Sequence, residues 1–165
     1  MKTLFIGGIK SGKSRLAEMY ILEQATTDKP YYLATTKFFD EEMQARILIH
    51  QQRRQDLFVT LEEPLKLFEA LQKCRGRVLI ECVSMWLNNQ LHHKIPEADT
   101  LQELEAVLQL SNDMVLVHNE VGLSIIADNR LARQFVDLSG KAAQLMGQYC
   151  DQVFFCSAGL KIQMK

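Results

Sequence analysis

Lys2-Thr3-Leu4-Phe5-Ile6-Gly7-Gly8-Ile9-Lys10-Ser11-Gly12-Lys13-Ser14 is the stretch on which the rest of the chain depends. Its first five residues form an apolar, β-rich run, and the next eight match G-x-x-x-x-G-K-[ST] at every fixed position. The pattern predicts a phosphate-binding loop between a strand and a helix. Gly7, Gly8 and Gly12 are expected to take positive φ and to bring backbone N–H groups up to phosphate oxygens where a side chain would collide. The run from Arg15 to Leu22 reads as a helix leaving the loop, so its positive dipole end adds to the anion site. In such a loop Lys13 reaches the β- and γ-phosphates and the Ser14 hydroxyl ligates Mg²⁺. Gly7, Gly8, Ile9, Lys10, Ser11, Gly12, Lys13 and Ser14 are therefore the predicted triphosphate cradle.

Beyond this stretch, apolar strands alternate with helical stretches. Strands are expected at Pro30–Thr35, Phe58–Leu61, Arg77–Glu81, Met114–Val117 and, last, Val153–Phe155. Helices are expected over Asp40–Arg54, from Pro64 through Leu71, over Ser84–Leu91, over Thr100–Leu110, and from Asp128 through Leu145, with Lys94–Asp99 as a connection and His92-His93 in a polar loop. This is an α/β chain of P-loop NTPase type, with a mostly parallel central sheet covered on both faces. In such sheets ligands bind at the carboxyl ends of the strands, which here carry Thr35-Thr36, Glu81 and Asn119-Glu120 besides the loop.

The chain has 165 residues, 47% of them hydrophobic, which fits one catalytic domain over 1–165 with one buried core. Its 19 basic and 20 acidic residues leave a net charge of −1, so no global field draws nucleic acid or an anionic membrane. Any anion site must be local. Cys74, Cys82, Cys150 and Cys156 show no C-x-x-C or zinc-finger spacing and read as reduced, partly buried thiols. No signal core or membrane-length apolar run is present in the sequence, and a cytoplasmic location is expected.

Two further features carry chemistry. Glu81 ends an apolar strand, where P-loop enzymes place the acid that holds the Mg²⁺ shell or orients a nucleophile. Glu120 is similarly placed. Arg46, His50, Arg53 and Arg54 fall on one side of the predicted 40–54 helix. Alone they could be a solvated basic face; facing the loop, the arginines can hold phosphates by forked hydrogen bonds. A neutral imidazole of ordinary pKa about 6.5 is then a competent nucleophile. Asp137-Leu138-Ser139-Gly140 matches D-x-x-G but lies in a helical run, and N-K-x-D is missing, which disfavours a switch GTPase. Met85 and Trp86 read as core or interface. The residues by themselves leave open another small-molecule kinase or a nucleotide-binding module without catalysis.

Read together, the residues resemble the bifunctional adenosylcobinamide kinase/adenosylcobinamide-phosphate guanylyltransferase family. The match comprises G-G-x-x-S-G-K-S with Ala17-Glu18, Tyr32-Leu33-Ala34-Thr35, Asp40-x-x-Met43-x-x-Arg46-Ile47-x-x-His50-x-x-Arg53-Arg54 and Glu62-Glu63-Pro64-Leu65. It continues through Glu81-Cys82, Trp86-Leu87-Asn88-Asn89, Asn119-Glu120-Val121-Gly122, the Asn129–Gly140 run and Gln144. The resemblance implies phosphorylation of adenosylcobinamide and transfer of GMP from GTP to the new phosphate, with GTP and ATP as nucleotide substrates and Mg²⁺ as cofactor. It implies His50 as the guanylylated nucleophile beside catalytic Lys13 and Glu81, with Thr35, Arg46, Arg53, Arg54, Glu62, Glu81 and Glu120 among the nucleotide-binding residues. It places the metal on Ser14 and Glu81, and it implies a homotrimer. The chain departs from the family pattern where Asp usually replaces Glu81, where Arg replaces Lys10, and where Gly-Ile-Val-Pro stands in place of Ser124-Ile125-Ile126-Ala127.

Overall fold

The computed structural model describes residues 1–24, 28–36 and 57–165. The predicted 40–54 helix, with Arg46, His50, Arg53 and Arg54, lies outside the described residues. In chain order the elements are β1 (Lys2–Gly7), α1 (Lys13–Glu23), β2 (Tyr31–Ala34), β3 (Val59–Glu62), α2 (Leu67–Gln72) and β4 (Val78–Glu81). There follow α3 (Val83–His92), α4 (Glu97–Gln109), β5 (Met114–Asn119), α5 (Arg130–Tyr149), β6 (Gln152–Ser157) and β7 (Leu160–Gln163). The strands form one sheet in the order β3-β2-β4-β5-β1-β6-β7. All neighbours run parallel except β6 and β7.

The pleat divides the core. Leu4 and Ile6 of β1, Val78 and Ile80 of β4 and Leu116 of β5 point to the face covered by Leu67, Trp86, Leu104, Leu138 and Met146 of α2 to α5. Phe5, Leu79, Val115 and Val117 point the other way, onto Ala17 and Ile21 of α1. Strands buried on both faces are apolar throughout, which is why the sequence shows runs rather than alternation. Trp86 is fully buried and its Nε1–H donates to the Leu65 carbonyl at 2.8 Å, so the indole packs without leaving its polar atom orphaned.

The structure corrects several expected boundaries. Helix α4 starts at Glu97, inside the stretch read as a connection. Pro96 sits at its N-cap, and Glu97 and Asp99 occupy its first turn, where acids favour the dipole. Helix α2 starts later than Pro64 because the Glu63 carboxylate accepts the N–H groups of Leu65 (2.9 Å) and Lys66 (2.8 Å), forming a local turn ahead of the helix. His92 belongs to α3, with His93 as its C-cap, rather than to a polar loop. The sheet does not end at Phe155: β6 continues to Ser157 and turns back through Ala158 (φ 52°) and Gly159 (φ 77°) into β7.

Candidate nucleotide-binding site

The site is built where the carboxyl ends of β1, β4, β5 and β6 meet. Gly7 is the last residue of β1, between Asn119 and Cys156 in the neighbouring strands. It owes its identity to space: a Cβ there would stand 2.2 Å from the Cys156 carbonyl oxygen. Gly12 caps α1 with φ 91°, a conformation side chains rarely tolerate, and a Cβ on it would meet Gly159 Cα at 3.0 Å. The expectation of positive φ at all three glycines holds only for Gly12; the second left-handed position of the loop is Lys10, at φ 58°.

The hairpin between β6 and β7 braces the loop from behind. Gly159 N–H donates to the Ser11 carbonyl at 2.9 Å, and Ser11 N–H closes a turn onto Gly8 at 3.2 Å. The Ser11 hydroxyl is buried and makes no hydrogen bond, a donor available inside the loop for an anion's oxygen. Lys13 is buried, and its ammonium donates to the Gly8 carbonyl at 3.1 Å. That bond folds the lysine back across the loop, with its charge held at the anion cradle.

Ser14, in the first turn of α1, donates its hydroxyl to the Glu81 carboxylate at 2.7 Å. This joins the P-loop to the end of β4 across the intervening strand β5. The two groups are hard oxygens of the kind that hold a small divalent cation. No group of three or more His, Cys, Asp or Glu converges among the described residues.

Thr35 is completely buried. Its hydroxyl donates to the Cys82 carbonyl (2.7 Å) and accepts from Cys82 N–H (3.0 Å), while its own N–H donates to the Glu81 carbonyl at 3.0 Å. Thr35 thus fixes the backbone from which the Glu81 side chain leaves. Glu62 is exposed on β3, four strands from β1, or about 19 Å by strand spacing. Among the described residues the loop gathers Lys13, Ser14, Glu81 and Glu120 around it and leaves Glu62 at the sheet edge.

Glu120 follows β5, with its N–H donating to the Gly7 carbonyl at 2.9 Å. One carboxylate oxygen accepts from Gly122 N–H at 2.5 Å. The side chain lines a cavity of about 400 Å³ whose wall includes Gly8, Lys10, Ser11 and Cys156.

One buried group was not singled out by sequence. His118 lies between two hydroxyls, with Ser84 Oγ 3.1 Å from Nδ1 and Ser139 Oγ 3.0 Å from Nε2. Ser84 also accepts Asn119 N–H at 2.7 Å. Burial, against the partial opposition of Ser139 and with help from the Lys13 charge, lowers the His118 pKa to about 4. The neutral ring therefore ties α3, β5 and α5 together beneath the site. The four cysteines are free and buried, and desolvation raises the pKa of Cys82 and Cys156, the two nearest the loop, which makes them poor nucleophiles.

A family model described as cobinamide kinase/cobinamide phosphate guanyltransferase matches residues 3–164. The chain belongs to this family. Its members include the bifunctional adenosylcobalamin biosynthesis protein CobP of Pseudomonas aeruginosa, 38% identical with the whole chain aligned to 98% of that protein. The bifunctional adenosylcobalamin biosynthesis protein CobU of Escherichia coli is 32% identical over the full length of both. Among solved structures, one ATPase domain superposes with a TM-score of 0.50 at 12% identity, covering 93% of this chain and 68% of that one. A prototypical ATPase of a type III secretion system superposes with a TM-score of 0.51 at 10% identity, covering 95% and 51%. At such identities the likeness is one of fold, and the fold is that of P-loop NTPases.

Proposed function

We propose that this cobinamide kinase/guanyltransferase family member catalyses two reactions at one nucleotide site. It phosphorylates the aminopropanol hydroxyl of adenosylcobinamide and then transfers GMP from GTP to that phosphate, releasing pyrophosphate and giving adenosylcobinamide-GDP. The observation that carries the reading is the 2.7 Å pair between Ser14 and Glu81 beside Lys13, on a chain whose whole length matches the family. GTP and ATP are the nucleotide substrates, Mg²⁺ is the cofactor, and the protein works in the cytoplasm as a homotrimer.

The loop amides and Lys13 bind the triphosphate, with the lysine leaving the Gly8 carbonyl for phosphate oxygens. Ser14 and Glu81 hold Mg²⁺, which when bound neutralises phosphate charge. In the kinase step the acceptor oxygen attacks the γ-phosphorus, the bond to the nucleoside diphosphate breaks, and Glu120 takes the hydroxyl proton. In the transferase step an imidazole nitrogen of His50 attacks the α-phosphorus and pyrophosphate leaves. A phosphate oxygen of the acceptor then breaks the P–N bond and carries GMP away. Arg46, Arg53 and Arg54 neutralise charge beside His50. Splitting one transfer between two anions into two displacements lets each proceed with its charge already held.

Incubation with adenosylcobinamide, Mg²⁺ and GTP should yield two products in sequence by mass spectrometry, the phosphate ester and then the GDP-linked corrinoid. A reaction that stops at the phosphate ester would reduce the protein to a kinase, and the absence of either product would overturn the proposal.

A further inference from the structure

The connection between β5 and α5 carries three of the most exposed large apolar side chains in the described structure. Leu123, Ile125 and Ile126 are 80%, 94% and 82% exposed, and Leu131 at the start of α5 is 63% exposed. Apolar groups concentrated in this way on a surface mark a binding face. The connection is nevertheless built rather than loose. Ser124 Oγ donates to the Val121 carbonyl at 3.2 Å, and Arg133 donates to the carbonyls of Ala127 (2.8 Å) and Asp128 (2.7 Å). Asn129 caps α5 by accepting Ala132 N–H at 2.7 Å.

Two cavities meet along it. The 400 Å³ cavity holds Glu120 against the phosphate loop, and a second, of about 240 Å³, is lined by Ile125, Ile126, Arg133, Val136 and Asp137. Val121 and Ser124 belong to the walls of both. An apolar shelf on one side and a polar, carboxylate-bearing cavity on the other are thus continuous.

We propose that this shelf is where the corrinoid acceptor docks. The inference rests on the functional reading above and adds to it the surface that recognises the substrate. A corrin is a broad plate with methyl groups on both faces and amide arms on its rim, and it is too large for either cavity. Only its hydroxyl-bearing arm has to reach the phosphates. Such a molecule needs an exposed apolar platform beside a narrow polar opening. Leu123, Ile125 and Ile126 supply the platform, and Glu120 stands in the opening beside the P-loop. The smaller cavity, with the Asp137 carboxylate and the Arg133 guanidinium in its wall, takes a rim amide, donated to the aspartate and accepted from the arginine.

The test is the double substitution Ile125→Ser/Ile126→Ser in the full chain, with Ile125→Leu/Ile126→Leu as its hydrophobic control. Five quantities are measured: KM and kcat for adenosylcobinamide, the dissociation constant of GTP, the melting temperature, and the mass in solution by light scattering. Removing two apolar contacts should raise the corrinoid KM roughly 10- to 100-fold, with GTP affinity, melting temperature and mass unchanged and the leucine pair close to wild type. An unchanged corrinoid KM overturns the inference while leaving the functional reading intact. If the mass falls at the same time, the face joins copies of the chain instead. If the wild-type protein does not turn over adenosylcobinamide at all, the functional reading falls and this inference with it.

Discussion

Gly7 and Gly8 stand side by side in the same motif, and the structure assigns them opposite sensitivities. A Cβ on Gly7 would lie 2.2 Å from a backbone carbonyl oxygen of β6, about 1 Å inside van der Waals contact. The obstacle is main chain in a paired strand, so it cannot swing aside as a side-chain tip would. Gly7→Ala must push β1 and the phosphate loop away from Cys156 or distort the ladder. Overpacking of this kind costs about 1–3 kcal/mol, or roughly 2–12 °C of melting temperature for a domain of this size. A loop displaced by about 1 Å should also lose on the order of 100-fold in kcat. A Cβ on Gly8 meets nothing within 4 Å, so Gly8→Ala should melt within a few degrees of wild type. Thermal unfolding of the two variants without nucleotide reads the difference directly. Wild-type melting for Gly7→Ala, or a large loss for Gly8→Ala confined to stability, would refute the reasoning.

Ser14→Ala removes the donor of the 2.7 Å pair and Glu81→Gln removes the acceptor's negative charge, and each should lower both transfers by roughly 100- to 1,000-fold, with steady-state kinetics over a magnesium titration as the check. His118 makes stability depend on pH. Its folded pKa, about 4, lies below the ordinary 6.5, so the unfolded chain binds the extra proton as the pH falls between those values. Stability should therefore be complete above about pH 6.5 and decline toward pH 4, by about 3 kcal/mol from this group. Urea midpoints measured across that range should show the slope, and His118→Gln, which keeps polar atoms but does not titrate, should flatten it.

The P-loop and the apolar strand runs were enough to read the architecture, because two-face burial writes itself into sequence as uninterrupted Val, Leu and Ile. Strand β7 escaped because all four of its residues are exposed, so no buried face gives it a period. The start of α4 escaped because Pro96 reads as a breaker, whereas at the N-cap its fixed φ suits the helix. At the site, Ser14 and Glu81 follow from motif and strand-end logic. The role of Thr35 does not, since its partner is the backbone of Cys82, 47 residues away. The demand on Gly7 comes from β6, far along the chain, and His118 became meaningful only once Ser84 and Ser139 were folded against it. Local pattern shows which residues can do chemistry; the long-range packing shows which of them are braces.

Covalent transfer through His50 is tested by incubating the protein with Mg²⁺ and GTP labelled at the α-phosphate. Protein-bound label that is acid-labile and base-stable, and that disappears in His50→Ala while GTP still binds, is the expected result. Wild-type protein that binds GTP but retains no label, or label that persists in His50→Ala, would contradict it.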